Sequence, residues 1–491
     1  MQPLGPRGRL EIAWIDAAAL SLGLLLIVVA LRWPALSLPL DRDEGAYATM
    51  AWASQAHSLT PYVDLLDHKP PLLYGLYALA IQYGGPSALS IRLFSLAWQA
   101  LSAMAAGLLL LRWTRSRKMA WAGGLVFALL GSAWGTQAVA ANAEGWAWLP
   151  LLAGLALLRP WDDERALWRW MFWGVAAGLA ANIKQPYYLW ALGLPLLWPA
   201  RASRLRSAGA ALVGLAALQA LIALAYARHG ALGAWWQAVF AFNASYSSPL
   251  SLDALKGFGL LLRHLLRWQG LFWVLAALAF WGPATRLRRL GAAALLLGFL
   301  ASALSGRWYP HYAQSWSLGL ALLGASAFQN GGAELWPWKR ALLLALAVFA
   351  FWRAQAPFFA LPDGAARSQR LLGVSDFAQA PALAQWIHDH SEPHERVLVW
   401  GAEPELYFLA QRLPATRQLN HYALTGVTPR WPGAEEDFLE AAKDPRTHVV
   451  VLTLGLDPAQ PFQAALGKAL QARFKFRGDL FPPYWVALRR P

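Results

Sequence analysis

Long apolar runs recur along the first 360 or so residues of this chain, and they limit what it can fold into more than any other feature. A run of about 18 residues or more is long enough to cross a bilayer as a helix. Only 14% of the 491 residues are charged, whereas a soluble protein carries about a quarter. The sequence therefore predicts an α-helical polytopic membrane protein.

Counting the apolar runs predicts about eleven membrane spans. The first lies near residues 14–33, and no small-residue cleavage site of the kind that ends a signal peptide follows it. Residues 71–84 are apolar but short, and we interpret them as a helix lying at the membrane interface. Residues 228–267 are less apolar, and we expect a long loop with amphipathic portions there.

The net charge of +15 is concentrated in short loops between the apolar runs. With the N-terminus in the cytoplasm, every basic cluster between spans falls on the cytoplasmic side, as the positive-inside tendency requires. Residues 34–90 and the C-terminal region then lie outside the cytoplasmic membrane. This charge distribution argues against nucleic acid as a partner. The absence of cysteine from the sequence excludes disulfides, thiolate metal sites and cysteine nucleophiles.

The C-terminal region, residues 362–491, has more charged residues and shorter apolar runs than the rest. Strands are expected at 396–401, 448–454 and 485–490, and helices at 403–412 and 460–473. Alternating strands and helices predict a small α/β domain. We therefore expect a membrane domain over 1–361 and a soluble extracytoplasmic domain over 362–491.

The stretch after the first span, residues 41–77, is dense in ionisable side chains: Asp41, Arg42, Asp43, Glu44, His57, Asp64, Asp67, His68 and Lys69. Such groups beside a membrane span either line a water-filled site or belong to a solvated loop. Asp43 and Glu44 can supply a general base, bind a divalent cation, or stabilise the first turn of a helix predicted over 45–56. We favour catalysis, because further polar groups are predicted on the same side of the membrane.

Three cations are candidates for binding a phosphate. Lys69 precedes a Pro-Pro pair that holds the backbone extended and directs the cation away from the chain; the alternative is a lysine that reaches lipid head groups. Lys184 lies at a break between two short apolar segments. Arg307, in a polar turn with Tyr309 and His311, offers a planar fork suited to phosphate. For both, the alternative is an interfacial belt of aromatic and basic residues.

Glu144 follows Asn142 at the start of an apolar helix. An acid near a membrane span usually faces a cavity or a partner, although it also suits the first turn of a helix. Carboxylates and cations on one membrane face predict transfer of a group from a phosphate, expected to belong to a lipid. The base would deprotonate an acceptor hydroxyl or amine, and the cations would stabilise the leaving phosphate.

These motifs also resemble a known family. The sequence Asp-Glu-x-x-Tyr-Ala at 43–48, with Lys-Pro-Pro-Leu at 69–72, is similar to the GT-C membrane glycosyltransferases. The resemblance is to the family 39 and 83 group, which holds protein O-mannosyltransferase-like enzymes and lipid A aminoarabinose transferases. Further similar segments lie at 142–144, 184–186, 307–312 and 399–417, the last resembling the periplasmic domain of bacterial members.

The resemblance implies a GT-C fold, a polyprenyl-phosphate sugar donor and an inverting transfer at the outer face of the cytoplasmic membrane. It implies that Asp43 is the base, that Glu144 is a second acidic position and that Lys69 lies near the donor phosphate. The chain departs from the aminoarabinose transferases at Ala46, where they have a basic residue, and at His68, where they have an acid. A general sugar donor is therefore favoured over aminoarabinose.

The full candidate site follows from both arguments. Catalytic acids are expected at Asp43, Glu44 and Glu144, donor phosphate-binding cations at Lys69, Lys184 and Arg307, and substrate-lining residues at Tyr47, His68, Tyr309 and His311. A divalent cation held by Asp43, Glu44 and His68 is left open, as is the acceptor, which can be a protein, a lipid or a polysaccharide.

Three other functions are compatible with parts of the pattern. A transporter places ionisable residues on broken helices at the bilayer midplane, and the Lys-Gln-Pro turn at 184–186 favours such a break. A purely structural or binding membrane protein would not need an acid and cations together. A lipid-linked phosphotransferase shares the phosphate requirement, and a phosphate-labelled donor would distinguish it.

Overall fold

The computed structural model describes residues 6–158, 166–198, 203–247, 251–281, 284–329, 337–373 and 376–491. The chain forms two compact units. The first comprises Met1–Ala35, Leu93–Ile222 and Ser247–Leu361, and the second comprises Leu36–Arg92, Ala223–Tyr246 and Pro362–Pro491. The residues after the first span thus share a unit with the C-terminal residues, although they are far apart in the sequence.

Helices make up most of the described chain. In order they are α1 (Pro6–Arg32), α2 (Arg42–His57), α3 (Pro71–Gly84), α4 (Ala88–Thr114), α5 (Arg117–Leu130), α6 (Ala143–Trp146), α7 (Trp148–Leu157), α8 (Leu167–Ala181), α9 (Tyr188–Leu197), α10 (Arg204–Arg228), α11 (Leu232–Trp236), α12 (Phe242–Tyr246), α13 (Leu252–Leu278), α14 (Arg286–Ala303), α15 (Ser317–Ser326), α16 (Pro337–Phe359), α17 (Gly364–Leu372), α18 (Asp376–Asp389), α19 (Glu405–Ala410), α20 (Ala434–Lys443) and α21 (Pro461–Arg473). The strands are β1 (Arg396–Trp400), β2 (Leu413–Pro414), β3 (Thr447–Leu452), β4 (Phe474–Phe481) and β5 (Tyr484–Arg489).

Four helical segments of the described chain are long and apolar enough to cross a membrane: Trp14–Ser37, Ala88–Thr114, Arg204–Arg228 and Trp338–Phe359. Shorter helices lie at other expected spans, among them α5 with 14 residues and α14 with 18. The predicted class, an α-helical membrane protein, is confirmed. The predicted interfacial segment 71–84 forms the helix α3.

The long loop predicted over 228–267 is wrong in its second half, because α13 begins at Leu252 and is 27 residues long. Arg263, His264 and Arg267 interrupt the apolar pattern there and hide the helix from a search for continuous apolar runs. The buried side chains Leu261, Leu265, Gln269, Phe272 and Ala276 recur every three or four residues. That spacing is the signature of an amphipathic helix.

The C-terminal residues of the second unit contain one five-stranded sheet with the order β2-β1-β3-β5-β4. The strand β1 is parallel to β2 and β3, while β5 is antiparallel to β3 and β4. The predicted α/β region is confirmed, with three of its strands near the expected residues. The sequence did not predict β4, in which only Phe474 is buried, nor β2, which has only two residues.

Most of helix α2 is buried, since every residue from Glu44 to Ala53 has little exposed surface. Part of its surroundings comes from the loop that follows β1 in the same unit. Thr49 Oγ1 donates to the carbonyl of Pro404 at 2.8 Å, and Arg42 Nε donates to that of Ala402 at 3.1 Å. The helix that carries Asp43 and Glu44 is therefore held by residues from the C-terminal part of the chain.

At Gly45, helix α2 packs closely against the first residue of α19. A methyl group on the Gly45 Cα would lie 2.5 Å from the backbone nitrogen of Glu405, so the two helix backbones would have to separate. We expect Gly45→Ala to destabilise this contact by about 1–3 kcal/mol, measured as faster hydrogen exchange in peptides covering 42–57. Gly75→Ala is the matched control, because a methyl group there meets only Leu72 at 3.9 Å. Equal exchange in both variants would contradict the prediction.

Candidate active site

Asp41 begins α2 by capping its free backbone amides. The amide of Glu44 donates to Asp41 Oδ1 at 2.9 Å, and the amide of Asp41 donates to Glu44 Oε2 at 2.9 Å. This reciprocal capping box satisfies two amides that have no partner within the helix. Burial, together with the charges of Glu44 and Asp43, raises the pKa of Asp41 well above its usual range.

Glu44 forms a buried ion pair with Arg92. Arg92 Nη2 donates to Glu44 Oε2 at 2.7 Å, and Nη1 donates to Oε1. Their side chains are 0% and 2% exposed, and Arg92 also donates to the carbonyls of Leu38 and Pro39. The Glu44 carboxylate is thus fully occupied and shielded, whereas a general base must reach the proton that it removes.

Asp43 differs from its neighbour because its side chain is partly exposed. Tyr47 Oη donates to Asp43 Oδ2 at 3.3 Å, and the Tyr47 ring is only 2% exposed. The Lys69 Nζ lies 5.8 Å from the centroid of the same ring. Tyr47 therefore contacts both the accessible carboxylate and the lysine, and the second unit brings these two groups into one neighbourhood.

The Lys69 ammonium is available to bind an anion. Its Nζ lies 3.0 Å from His68 Nε2, and no carboxylate pairs with it among the residues that the structure describes. The side chain is partly exposed. An ammonium that is held by a neutral partner can still bind an anion.

Asp67 and His68 directly precede Lys69, and each affects the pKa of the other. Burial raises the pKa of Asp67, but hydrogen bonds from His68 and the charges of His68 and Lys69 outweigh it and lower this pKa to about 2. Burial and the Lys69 charge lower the pKa of His68, against the opposing effect of Asp67 and Asp43. At neutral pH the pair is therefore an aspartate and a neutral imidazole.

The first unit contains a second polar cluster, centred on Glu144. The Glu144 side chain is 1% exposed and pairs with Lys184 Nζ. His311 Nε2 lies 3.9 Å from Glu144 Oε1, and its Nδ1 lies 3.1 Å from Gln137 Oε1. Lys184 Nζ also lies 3.7 Å from the centroid of the Tyr312 ring. The charges of Glu144 and Lys184 thus offset each other within a buried site.

Arg307 and Tyr309 lie in the turn between α14 and the short 3₁₀ helix Pro310–Trp316. Tyr309 is 41% exposed and stacks on His311 with ring centroids 5.7 Å apart. The backbone amide of Arg307 donates to Ser305 Oγ at 3.2 Å. Tyr309 thus joins the Glu144 cluster through His311.

The ten candidates fall into two groups. Asp43, Glu44, Tyr47, His68 and Lys69 belong to the second unit, and Glu144, Lys184, Arg307, Tyr309 and His311 belong to the first.

The sequence left open whether Asp43, Glu44 and His68 hold a divalent cation. Among the described residues, no three histidine or carboxylate side chains lie close enough to hold one. Glu44 is engaged by Arg92, and His68 Nε2 faces Lys69. Asp43, Glu44 and His68 therefore do not form a metal site in this structure.

Sequence reasoning missed Arg92 and Asp67 as members of the site. Arg92 lies 48 residues beyond Glu44, and no local pattern connects them. Its one visible signal is that a charged residue near the start of an apolar helix needs a partner. Asp67 was visible in the polar stretch, but only the folded loop shows that it contacts His68 and Tyr74.

The chain was compared with known proteins. No family model and no curated protein sequence matches it. Among solved structures, ArnT from Cupriavidus metallidurans bound to undecaprenyl phosphate is similar to it, with 16% identity, a TM-score of 0.61 and 98% of each chain covered. The apo structure of the same ArnT gives 14% identity, a TM-score of 0.63, and coverage of 96% of this chain and 98% of ArnT.

The chain has the GT-C fold. The fold that the motifs at 43–48 and 69–72 implied is thereby confirmed. The GT-C likeness extends through both units, since nearly the whole chain is covered.

Proposed function

We propose that the protein is an inverting glycosyltransferase that moves a sugar from a polyprenyl-phosphate donor to an acceptor at the outer face of the cytoplasmic membrane. The observation that carries this proposal is the pairing of an accessible carboxylate, Asp43, with an available cation, Lys69, through Tyr47. A carboxylate and a cation that lie close together suit a reaction in which a phosphate is the leaving group. The GT-C fold supports the same class, and ArnT has been solved with undecaprenyl phosphate bound.

The proposed chemistry assigns one step to each group. Asp43 accepts the proton of an acceptor hydroxyl, and the acceptor oxygen attacks the anomeric carbon of the sugar. The bond from that carbon to the phosphate oxygen breaks, and the polyprenyl phosphate leaves with the electron pair. Lys69 stabilises the charge that develops on this phosphate. Attack opposite the leaving group inverts the configuration at the anomeric carbon.

The other candidate residues are proposed to have structural or substrate-binding roles. Glu44 is not proposed as a base, because its carboxylate is engaged in the ion pair with Arg92. We propose that Glu144 and Lys184 stabilise the buried cluster of the first unit, since each offsets the charge of the other. In that unit Arg307 remains a proposed phosphate-binding cation, and Tyr309 and His311 remain proposed substrate-lining residues. The outer location is supported by the basic clusters between the spans.

The test uses purified protein in liposomes with a panel of undecaprenyl-phosphate sugars and a cell-envelope extract as acceptor. We expect sugar label to leave the lipid and phosphate label to remain on it. Movement of the phosphate label would favour a phosphotransferase. The anomeric configuration of the product, determined by NMR, tests inversion.

Lys69→Met should weaken undecaprenyl phosphate binding about 10–100-fold, because a charge-assisted hydrogen bond to phosphate is lost. The dissociation constant in nanodiscs measures this effect. The matched control is Lys256→Met, since that lysine is 77% exposed and pairs only with the exposed Asp253 among described groups. Unchanged affinity in Lys69→Met would contradict the assignment.

A transporter of a lipid-linked or anionic substrate is the second candidate, and one observation favours it. The 3₁₀ turn Gln185–Tyr187 separates α8 from α9, and the partly buried Lys184 lies directly before it. Broken helices with ionisable residues are typical of transporter sites. Translocation of labelled undecaprenyl phosphate across the liposome bilayer, without any loss of sugar from a glycosylated donor, would support this function.

A further inference from the structure

The contact between Lys69 and His68 fixes the proton position on the imidazole. A lysine ammonium has three N–H donors and no acceptor, so the nitrogen that faces it must offer a lone pair. The atom 3.0 Å from Lys69 Nζ is His68 Nε2. His68 must therefore be neutral and carry its proton on Nδ1.

The other ring nitrogen faces a group that requires the same arrangement. His68 Nδ1 lies 3.2 Å from Asp67 Oδ1, which also accepts from the His68 backbone amide at 2.7 Å. A carboxylate is an acceptor and favours a proton on the nitrogen that it faces. Tyr74 Oη donates to the second oxygen of Asp67 at 2.9 Å. The partners of both ring nitrogens are therefore satisfied only by the Nδ1–H tautomer.

The ring has little freedom to turn away. Its centroid lies 5.3 Å from that of Phe242 at an interplanar angle of 28°, and 5.5 Å from that of Tyr246. Asn243 Nδ2 donates to the His68 carbonyl at 2.8 Å. The backbone and the ring of His68 are therefore both held from the segment α12 of the same unit.

The Lys69 backbone is fixed in the same way. Its carbonyl accepts a hydrogen bond from Tyr62 Oη at 2.7 Å. With the main chain held, the direction of the long lysine side chain depends on what its ammonium contacts. The only hydrogen bond of this ammonium within the described chain is the one to His68.

We propose that Asp67 and His68 are positioning residues for the donor phosphate, with Asp67 holding His68 in one tautomer and His68 holding the Lys69 ammonium. One N–H of Lys69 bonds to His68, which leaves two for the phosphate oxygens. Preorganisation of this cation lowers the entropy that binding would otherwise cost. This inference rests on the proposed function, because it takes a lipid phosphate as the ligand of Lys69.

The tautomer can be tested without any ligand. Protein labelled with ¹⁵N in its histidine rings is reconstituted in liposomes and studied by solid-state NMR, and the His68 signals are those missing from His68→Gln or, equally, from His68→Asn. We expect a protonated Nδ1 and an unprotonated Nε2 at neutral pH. A protonated Nε2, in either the other tautomer or the imidazolium, would overturn the proposal.

Two substitutions separate positioning from packing. His68→Gln places an amide oxygen near the position of Nε2 and loses the ring, whereas His68→Phe keeps the stacking on Phe242 and loses the acceptor. We expect His68→Gln to bind undecaprenyl phosphate nearly as the wild type does, and His68→Phe to bind it about 10-fold or more weakly. The reverse order would mean that only ring packing matters, and it would overturn the proposal.

A double substitution tests the part of Asp67. Asp67→Asn should weaken binding in the wild type, because the imidazole can then adopt either tautomer, but not in the His68→Gln variant, which has no tautomer to hold. Asp64→Asn, an exposed acid on the same loop, is the charge control. An equal loss in both backgrounds would contradict the proposal. Absence of wild-type binding would instead refute the proposed function, and the NMR result would still decide the tautomer.

Discussion

Asp43→Asn is expected to lower the rate of sugar transfer by about 10²–10⁴-fold, the usual contribution of a positioned general base. The amide keeps the size of the side chain and can still accept the hydrogen bond from Tyr47 Oη. Donor binding should therefore stay at the wild-type level. Single-turnover transfer from a radiolabelled undecaprenyl-phosphate sugar, together with the donor dissociation constant, measures both quantities.

Asp64 provides the control for the effect of Asp43→Asn on sugar transfer. Asp64→Asn removes the same charge from an exposed position between α2 and α3 and should leave transfer unchanged. If Asp43→Asn transfers sugar at the wild-type rate, the base lies elsewhere and the role of Asp43 is refuted. A parallel fall in donor affinity would assign Asp43 to binding instead.

Glu44→Gln is expected to have the largest effect on stability. It leaves the Arg92 guanidinium buried without its carboxylate, and removing one partner of a buried ion pair costs about 3–5 kcal/mol. It also weakens the capping box that begins α2, because Glu44 Oε2 accepts from the Asp41 amide. The apparent free energy of unfolding, obtained from hydrogen exchange across residues 42–57, measures this loss.

Two variants test whether the effect belongs to the ion pair. Glu44→Leu combined with Arg92→Met removes both charges and should recover part of the loss, because no buried charge remains unpaired. Arg430→Met breaks the Arg430–Glu435 contact of 3.0 Å, whose arginine is 68% exposed, and should cost only about 0–1 kcal/mol. A cost for Glu44→Gln no larger than this control would show that the Arg92 pair does not stabilise α2.

Local patterns in the sequence were sufficient for much of the fold. The β-branched run at 448–454 predicted β3, and the continuous apolar run within 396–401 predicted β1, because burial in a sheet leaves a short-range pattern. Helix α13 was missed where basic residues face away from its buried stripe. Charged residues on one face of a helix break the continuity of an apolar run but not its helical period.

The site was predictable only where its chemistry is carried by neighbouring residues. The sequence placed Asp43 and Lys69 among the candidates because each belongs to a short polar motif. It could not distinguish Asp43 from Glu44, since that difference arises from Arg92, 48 residues away. Nor could it indicate that Lys184 is paired with Glu144, 40 residues earlier in the chain. Partners of this kind are set by tertiary structure and leave no local signal.

The contacts that hold α2 have a consequence for the synthesis of the protein. Arg42 and Thr49 bond to carbonyls 360 and 355 residues further along the chain. At about 5–20 residues per second, the ribosome reaches those residues roughly 18–72 s after it has made the helix. During that interval α2, which has little exposed surface in the finished protein, lacks its hydrogen-bond partners from the loop after β1. A chain that stops before residue 402 would therefore carry Asp43 on a helix that lacks these two contacts.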